Sequence, residues 1–175
     1  SSDLGRHLDA VIFTGDAAER GNLAGHAALR NIILETLAKV GIVAEKIVAT
    51  PGNHDVPRGT DPGSAERYAS FIAAWRDAGC VTPWLDGIDD EQSLADRHRL
   101  IGPGNTWAIF PINSANWSHT TSLLQSPLKE IWEQIPKLVK DAERAELTRQ
   151  LEGLIRFDMA RVSPEQLEML RTIIN

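Results

Sequence analysis

The chain contains Ala49-Thr50-Pro51-Gly52-Asn53-His54-Asp55 directly after the apolar pair Ile47-Val48. The apolar residues predict a short buried strand, and Pro51 with Gly52 predict a tight turn at its end. A turn places the next three side chains together at the edge of a sheet, whereas a strand would alternate them between two faces. These amide, imidazole and carboxylate groups are suited to ligating a metal, donating a proton and orienting the donor.

A second segment of the same design lies upstream. The apolar run 10–14 ends at Gly15-Asp16, and a helical pattern follows from about Leu23 to Val40, with Gly41 as a left-handed cap. The order strand, helix, strand predicts a βαβ unit with parallel strands. Because parallel strands end at the same edge of a sheet, we expect Asp16 to lie beside residues 53–55, where open α/β sheets bind ligands.

Two segments resemble signature blocks of a known family. GDAAERG (15–21) and GNHD (52–55), each after a predicted strand, resemble the second and third blocks of the calcineurin-like metallophosphoesterases. The resemblance implies an α/β (α+β) fold with a β-sandwich flanked by helices. It also implies two divalent metal ions and the attack of metal-bound hydroxide on a phosphate ester. Residues 107–114 and 162–170 resemble a later strand and helix start of the family, so the resemblance covers most of the chain.

The resemblance implies a role for each matching residue. Asp16 resembles the carboxylate that bridges both metals, and Asn53 resembles an amide ligand of the second metal. His54 resembles the catalytic imidazole that contacts the phosphoryl group and assists the leaving oxygen, with Asp55 as its orienting partner. Asn53 and His54 would therefore also bind substrate. Arg20 could reach a phosphate, although a solvated loop arginine is an equally good interpretation.

Physical chemistry accounts for these residue types. Two cations a few ångströms apart repel each other, so a carboxylate between them neutralises the pair, and hard oxygen ligands with imidazole suit Mn, Fe or Zn. A neutral amide ligates without adding charge, which leaves the site electrophilic toward an anionic phosphate. A histidine needs a defined tautomer, which a carboxylate on its other ring nitrogen supplies.

The sequence departs from the family pattern at both ends. The first block, Asp-x-His, does not occur in the fifteen residues before Asp16, and the last two histidine blocks would lie beyond Gln166. We therefore expect residues 1–175 to be a single, truncated metallophosphoesterase domain, inactive alone and completed by the rest of a parent protein or by another chain. Residues 128–161 are interpreted as a helical insertion, with ordinary packing as the default and a lid or partner-docking arm that restricts substrates as the sharper hypothesis.

The preferred function is hydrolysis of a phosphodiester, with cyclic nucleotides and nucleic acids among the candidate substrates. Asp55 closes its block as GNHD, whereas the protein-phosphatase branch usually resembles GNHE. Residues 19–21 nevertheless resemble the Asp-Arg-Gly of that branch, so the point stays open. The alternative is a noncatalytic phosphoesterase-like module that serves recognition or regulation within a larger protein.

Composition restricts the class of protein further. A formal net charge of −6 argues against a broad nucleic-acid-binding surface. No apolar stretch approaches the ~20 residues that cross a bilayer, so we expect no membrane association. A single cysteine, Cys80, rules out an internal disulfide framework and favours the cytoplasm, and we expect it to be buried.

The other segments are predicted to form supporting helices or to lie beside the site. Ser64 and Ser163 are predicted to cap helices with buried apolar stripes, and Gln166 is placed in a capping box. His98 is expected to be exposed, and Asn116 with Trp117 are candidates for lining a substrate pocket. The stripes comprise Tyr68, Phe71, Ile72 and Trp75 in the first helix, and Leu167, Leu170 and Ile174 in the second.

Overall fold

A computed structural model describes residues 8–90, 98–120, 134–138, 140, 143–147 and 161–174. Its first three elements are strand β1 (Val11–Phe13), helix α1 (Leu23–Ala38) and strand β2 (Ile47–Ala49). The two strands are parallel, with Val11 opposite Ile47 and Phe13 opposite Ala49. The predicted βαβ unit is therefore confirmed.

Local signals set the ends of α1. The Asn22 side chain accepts a hydrogen bond from the backbone N–H of Gly25 at 3.0 Å, which satisfies one of the free donors of the first turn. At the other end Gly41 has a φ of +78°, the left-handed conformation predicted for it. The N–H of Ile42 then returns to the carbonyl of Leu37 at 3.1 Å. The helix ends at Ala38, two residues before the predicted limit.

Strand β2 has neighbours on both sides. The N–H of Val81 donates to Ile47, and the N–H of Ala49 donates to the carbonyl of Val81, both at 2.8 Å. All three residues of β2 are fully buried as a result. Cys80, which precedes Val81, is buried as predicted, and burial raises the pKa of its thiol to about 11.

Helix α2 (Ala65–Phe71) packs against this sheet and continues as a π-helical segment, Ile72–Arg76. The Ser64 hydroxyl accepts from the N–H of Arg67, which confirms the predicted cap. Tyr68, Phe71 and Trp75 have no exposed surface, so the predicted apolar stripe is core packing. The Trp75 ring stacks on Phe13 with centroids 4.9 Å apart, which joins the helix to β1.

The remaining elements are short. Strands β3 (Leu100–Ile101) and β4 (Ala108–Ile109) form an antiparallel pair, so the strand predicted at 107–114 is shorter than expected. The described parts contain two two-stranded sheets, and the β-sandwich stays a prediction. Most of the predicted insertion 128–161 lies outside the described residues. The other elements are 3₁₀ helices at Ala44–Lys46, Pro103–Asn105 and Ile135–Leu138, and helix α3 at Pro164–Ile174. Residues 143–147, within the predicted insertion, are also helical.

The buried face of α3 differs from the prediction. Ser163 caps the helix as expected, accepting from the N–H of Gln166 at 3.0 Å. Leu167 is 47% exposed and Ile174 is 62% exposed, so the predicted stripe is wrong. The reason is the Gln166 amide, which accepts from the N–H of Asn113 at 2.8 Å and donates to its carbonyl at 2.9 Å. This polar contact turns Gln166 inward in place of the predicted capping box.

The expectation that His98 is exposed is also wrong. The residue is 2% exposed, and its Nδ1 lies 2.8 Å from the carbonyl oxygen of Thr82. A backbone acceptor inside the fold pairs with one ring nitrogen of His98, which its position between two arginines did not reveal. In the parts of the chain that are described, no helix combines the length and apolar character needed to span a bilayer.

Candidate active site

Two glycines allow the loops after β1 and β2 to touch. Gly15 has a φ of +103°, and a Cβ there would overlap the backbone of Gly52. A Cβ on Gly52 would in turn overlap the carboxylate of Asp16. Only a residue without a side chain fits at either position, so the two glycines set the close approach of the loops.

Asp16 stands at the meeting point of the two loops. Its φ of +61° lies in the left-handed region that side chains rarely adopt, and such outliers concentrate at functional sites. The residue is exposed, and its Oδ1 accepts a hydrogen bond from the backbone N–H of His54 at 3.2 Å. The structure therefore brings Asp16 and the 53–55 segment together.

Asp55 is buried beneath the loops. Its carboxylate accepts from the backbone N–H groups of Asp16 at 2.6 Å, Ala18 at 2.9 Å and Gly52 at 2.9 Å. Both carboxylate oxygens are thus used by main-chain donors, and the predicted pairing of Asp55 with the His54 ring is wrong. Main-chain donors compete for a buried carboxylate because each N–H would otherwise be left without a partner. Asp55 therefore joins the two loops through its side chain.

Glu19 is the partner of His54 that sequence reasoning missed. Its Oε2 lies 2.8 Å from Nδ1 of His54, at the exposed rim of the site. Arg20 and Arg58 flank the same carboxylate, at 3.5 Å and 3.9 Å from Oε1. The sequence held one indication that Glu19 could reach the site, because Glu19 lies three residues after Asp16 in the same loop.

The pKa of Glu19 provides a test of this pairing. The hydrogen bond with His54 lowers it below the ordinary value of 4.5, with smaller contributions from Arg58 and Arg20. We expect NMR titration to place the Glu19 carboxyl below 4.5 and to find that the depression shrinks in His54→Ala. A depressed pKa stabilises the fold above the ordinary pKa, and this contribution is lost as the pH falls through the lowered value. An unchanged Glu19 titration in His54→Ala would contradict the pairing.

A pocket of about 270 Å³ opens beside the two loops. Asp16 and Asn53 both line it, so the two predicted metal ligands face one space. Their oxygen donors suit a hard divalent cation, and in this respect the residues fit the metal that the family implies. The other lining residues are Thr14, Thr50, Pro51, Gly52, Ser114, Ala115 and Ser118.

The described residues supply part of a ligand set. Across the described ranges, no group of three His, Cys, Asp or Glu side chains converges as a cation site. The ring of His119 lies with its centroid 6.4 Å from that of His54, in an edge-to-face arrangement. Arg20, predicted to reach a phosphate, extends into solvent with 66% of its side chain exposed. It lies at the rim of the site beside Glu19.

A buried arginine joins two further loops around the pocket. Arg67 is 1% exposed, and its guanidinium donates to Thr60 Oγ1 at 3.0 Å and to the carbonyl of Ala115 at 2.8 Å. It also donates to the carbonyls of Pro57 and Ser118. Burial lowers the pKa of this guanidinium. The segment after GNHD and the pocket wall at 115–118 are therefore held by one side chain.

The candidates Asn116 and Trp117 do not line this pocket. Asn116 is 2% exposed, and its amide accepts from the Tyr68 hydroxyl at 2.7 Å and donates to Asp86 at 2.8 Å. Burial raises the pKa of Asp86. Trp117 carries the guanidinium of Arg161 over its ring at 5.0 Å. Both candidates therefore make structural contacts, which their position after a strand did not indicate.

Comparison with known proteins identifies the family. The model of the calcineurin-like phosphoesterases matches residues 3–150, and the chain therefore belongs to this family. Its members are generally hydrolases that act on phosphate esters and typically bind divalent metal ions. The mixed helix and strand content agrees with an α/β fold. No curated protein and no solved structure matched the chain.

Proposed function

We propose that this chain carries part of the active site of a metal-dependent phosphodiesterase. One observation supports this most directly. The Asp16 carboxylate accepts from the backbone N–H of His54 and shares a pocket with Asn53, so the residues implied as metal ligands and as proton donor lie together. Two divalent cations there, with Mn, Fe or Zn as candidates, would polarise the phosphate and lower the pKa of a water molecule.

One proposed ligand of such a site is negatively charged and the other is neutral. Asp16 would bridge the cations and reduce their repulsion, and Asn53 would ligate through its neutral amide oxygen. This leaves a net positive field toward an anionic diester in a protein whose formal charge is −6. Cyclic nucleotides and nucleic-acid ends are the candidate substrates.

His54 would supply a proton to the leaving oxygen. Its Nδ1–H donates to the Glu19 carboxylate, which sets the tautomer and orientation of the ring. The proton that the leaving oxygen needs would then be exchanged at Nε2. Arg20 and Arg58, on either side of Glu19, would attract the phosphate from solvent.

The isolated segment would bind the metal pair weakly. Among the described residues Asp16 and Asn53 would supply two ligands, whereas a dinuclear centre needs several, so we propose that further ligands come from the parent protein or from another chain. We also propose a cytoplasmic location. A single buried cysteine with a raised pKa is compatible with a reducing compartment and does not depend on disulfides.

Hydrolysis of two synthetic esters tests the function. We expect the protein encoded by the whole reading frame to cleave bis(p-nitrophenyl) phosphate with added Mn²⁺ and to prefer this diester over p-nitrophenyl phosphate. The isolated chain 1–175 should show a much lower rate. Absorbance of released nitrophenolate measures both, and a chelator should abolish the activity.

Two outcomes would count against the proposal. If the whole protein binds Mn²⁺ and prefers the monoester, the diester assignment fails and the hydrolase assignment stands. If it neither binds Mn²⁺ nor hydrolyses either ester, the noncatalytic recognition module is the better interpretation. Calorimetric titration with Mn²⁺ separates these cases.

A further inference from the structure

A buried histidine lies directly beneath the carboxylate that joins the two site loops. His26, on α1, has no exposed surface, and neither has the Asp55 side chain. The Nε2 of His26 lies 3.4 Å from the backbone carbonyl oxygen of Asp55 and 3.7 Å from its Oδ1. Its ring also meets Phe71 edge to face, with centroids 6.2 Å apart.

Trp75 determines which ring nitrogen of His26 carries the proton. The indole N–H of Trp75 is only a donor, and it points to Nδ1 of His26 at 3.2 Å. Nδ1 must therefore accept, and the proton of the ring is on Nε2, the nitrogen directed at Asp55. The hydrogen bonds therefore run in one direction. Trp75 donates to His26, and His26 donates to Asp55, from the helices toward the loops.

We propose that His26 is a positioning residue for the active site. Its Nε2–H donates to the backbone carbonyl of Asp55 and lies beside the carboxylate, whose oxygens in turn accept from the backbone N–H groups of Asp16, Ala18 and Gly52. Helix α1 thereby fixes the left-handed backbone of Asp16 and its distance from the second loop. This inference rests on the proposed function only for its effect on metal binding, because the effect on the loops is a property of the chain itself.

The α1 helix supplies a matched control. Ile33 lies seven residues after His26, on the same face of α1, and packs against the apolar core. Ile33→Ala therefore removes packing from the same helix without touching Asp55. His26→Leu removes the donor and fills the space. Trp75→Phe removes the N–H that sets the tautomer, together with part of the buried ring that stacks on Phe13. His26→Gln restores a donor close to the position of Nε2.

Amide hydrogen exchange of the metal-free chain tests the positioning role. We expect exchange at Asp16, Ala18 and Gly52 to accelerate about tenfold or more in His26→Leu, the size of effect that follows from weakening hydrogen bonds to a charged group. Ile33→Ala should leave these three amides protected when each variant is measured at the same interval below the midpoint of its thermal unfolding. Trp75→Phe should show a smaller acceleration, and His26→Gln should recover part of the protection.

The opposite results would overturn the proposal. Equal acceleration in His26→Leu and Ile33→Ala would mean that His26 is only part of the core, and so would an unchanged rate in His26→Leu. If His26→Leu does not fold, Trp75→Phe must still accelerate exchange at these three amides more than Ile33→Ala does, and equal rates in those two variants contradict the tautomer argument.

Metal affinity adds a second measurement in the whole protein. We expect His26→Leu to weaken Mn²⁺ binding about 10-fold to 100-fold, the range found for residues that orient ligands. Ile33→Ala should leave it unchanged. A wild-type protein that binds no Mn²⁺ would overturn the proposed function, while the exchange experiment would still decide the role of His26.

Discussion

Asp55→Ala is expected to lower the free energy of unfolding of the chain by about 4 kcal/mol. Three backbone N–H groups donate to this buried carboxylate, and truncation removes the acceptor of all three at once. The loss is larger than for a typical point mutation because the hydrogen bonds are to a charged group. Urea denaturation followed by circular dichroism measures it.

Two comparisons make the Asp55 prediction specific. Asp77→Ala removes an exposed carboxylate and should change stability by less than about 0.5 kcal/mol. Asp55→Asn keeps one oxygen, so it should fall between wild type and Asp55→Ala. A loss in Asp55→Ala no greater than in Asp77→Ala would show that the loops are held by other contacts.

Asp16→Asn is expected to lower kcat/KM for bis(p-nitrophenyl) phosphate about a thousandfold in the whole protein. The substitution removes the negative charge proposed to lie between two cations, where several kcal/mol of stabilisation depend on it, and each 1.36 kcal/mol is about tenfold in rate. Mn²⁺ affinity should fall in parallel. Initial rates over a range of Mn²⁺ concentrations separate weaker binding from slower chemistry.

The effect of Asp16→Asn should not come from unfolding. Asparagine keeps an oxygen that can accept from the N–H of His54, and Asp16 is exposed, so stability should change by less than about 1 kcal/mol. Asp77→Asn, an exposed aspartate that does not line the pocket, should retain full activity. Equal rates for wild type and Asp16→Asn would end the interpretation of Asp16 as a metal ligand.

The sequence was sufficient for the part of the fold that local rules determine. The parallel pairing of β1 with β2 followed from strand, helix, strand order, and the Gly41 cap followed from the need for a left-handed residue. The meeting of Asp16 with the 53–55 segment followed from the same topology. Each of these depends on short-range preferences or on a general rule of connection.

The hydrogen-bond partners of polar side chains could not be predicted from the sequence. The family resemblance predicts that Asp55 orients His54, yet the Asp55 carboxylate accepts from the backbone amides of Asp16 and Ala18, which lie 39 and 37 residues away. Glu19 and His26 were missed for the same reason, since each acquires its role from a residue on another element. The inward turn of Gln166 likewise depends on Asn113, a contact that helical periodicity does not contain.

The buried guanidinium of Arg67 restricts how this fold can be redesigned. Because one planar group satisfies carbonyls from both the 57–60 and the 115–118 segments, neither segment can be exchanged alone without leaving unmatched acceptors. A graft that alters substrate preference would have to transplant both segments as a unit, together with the helix that bears the arginine.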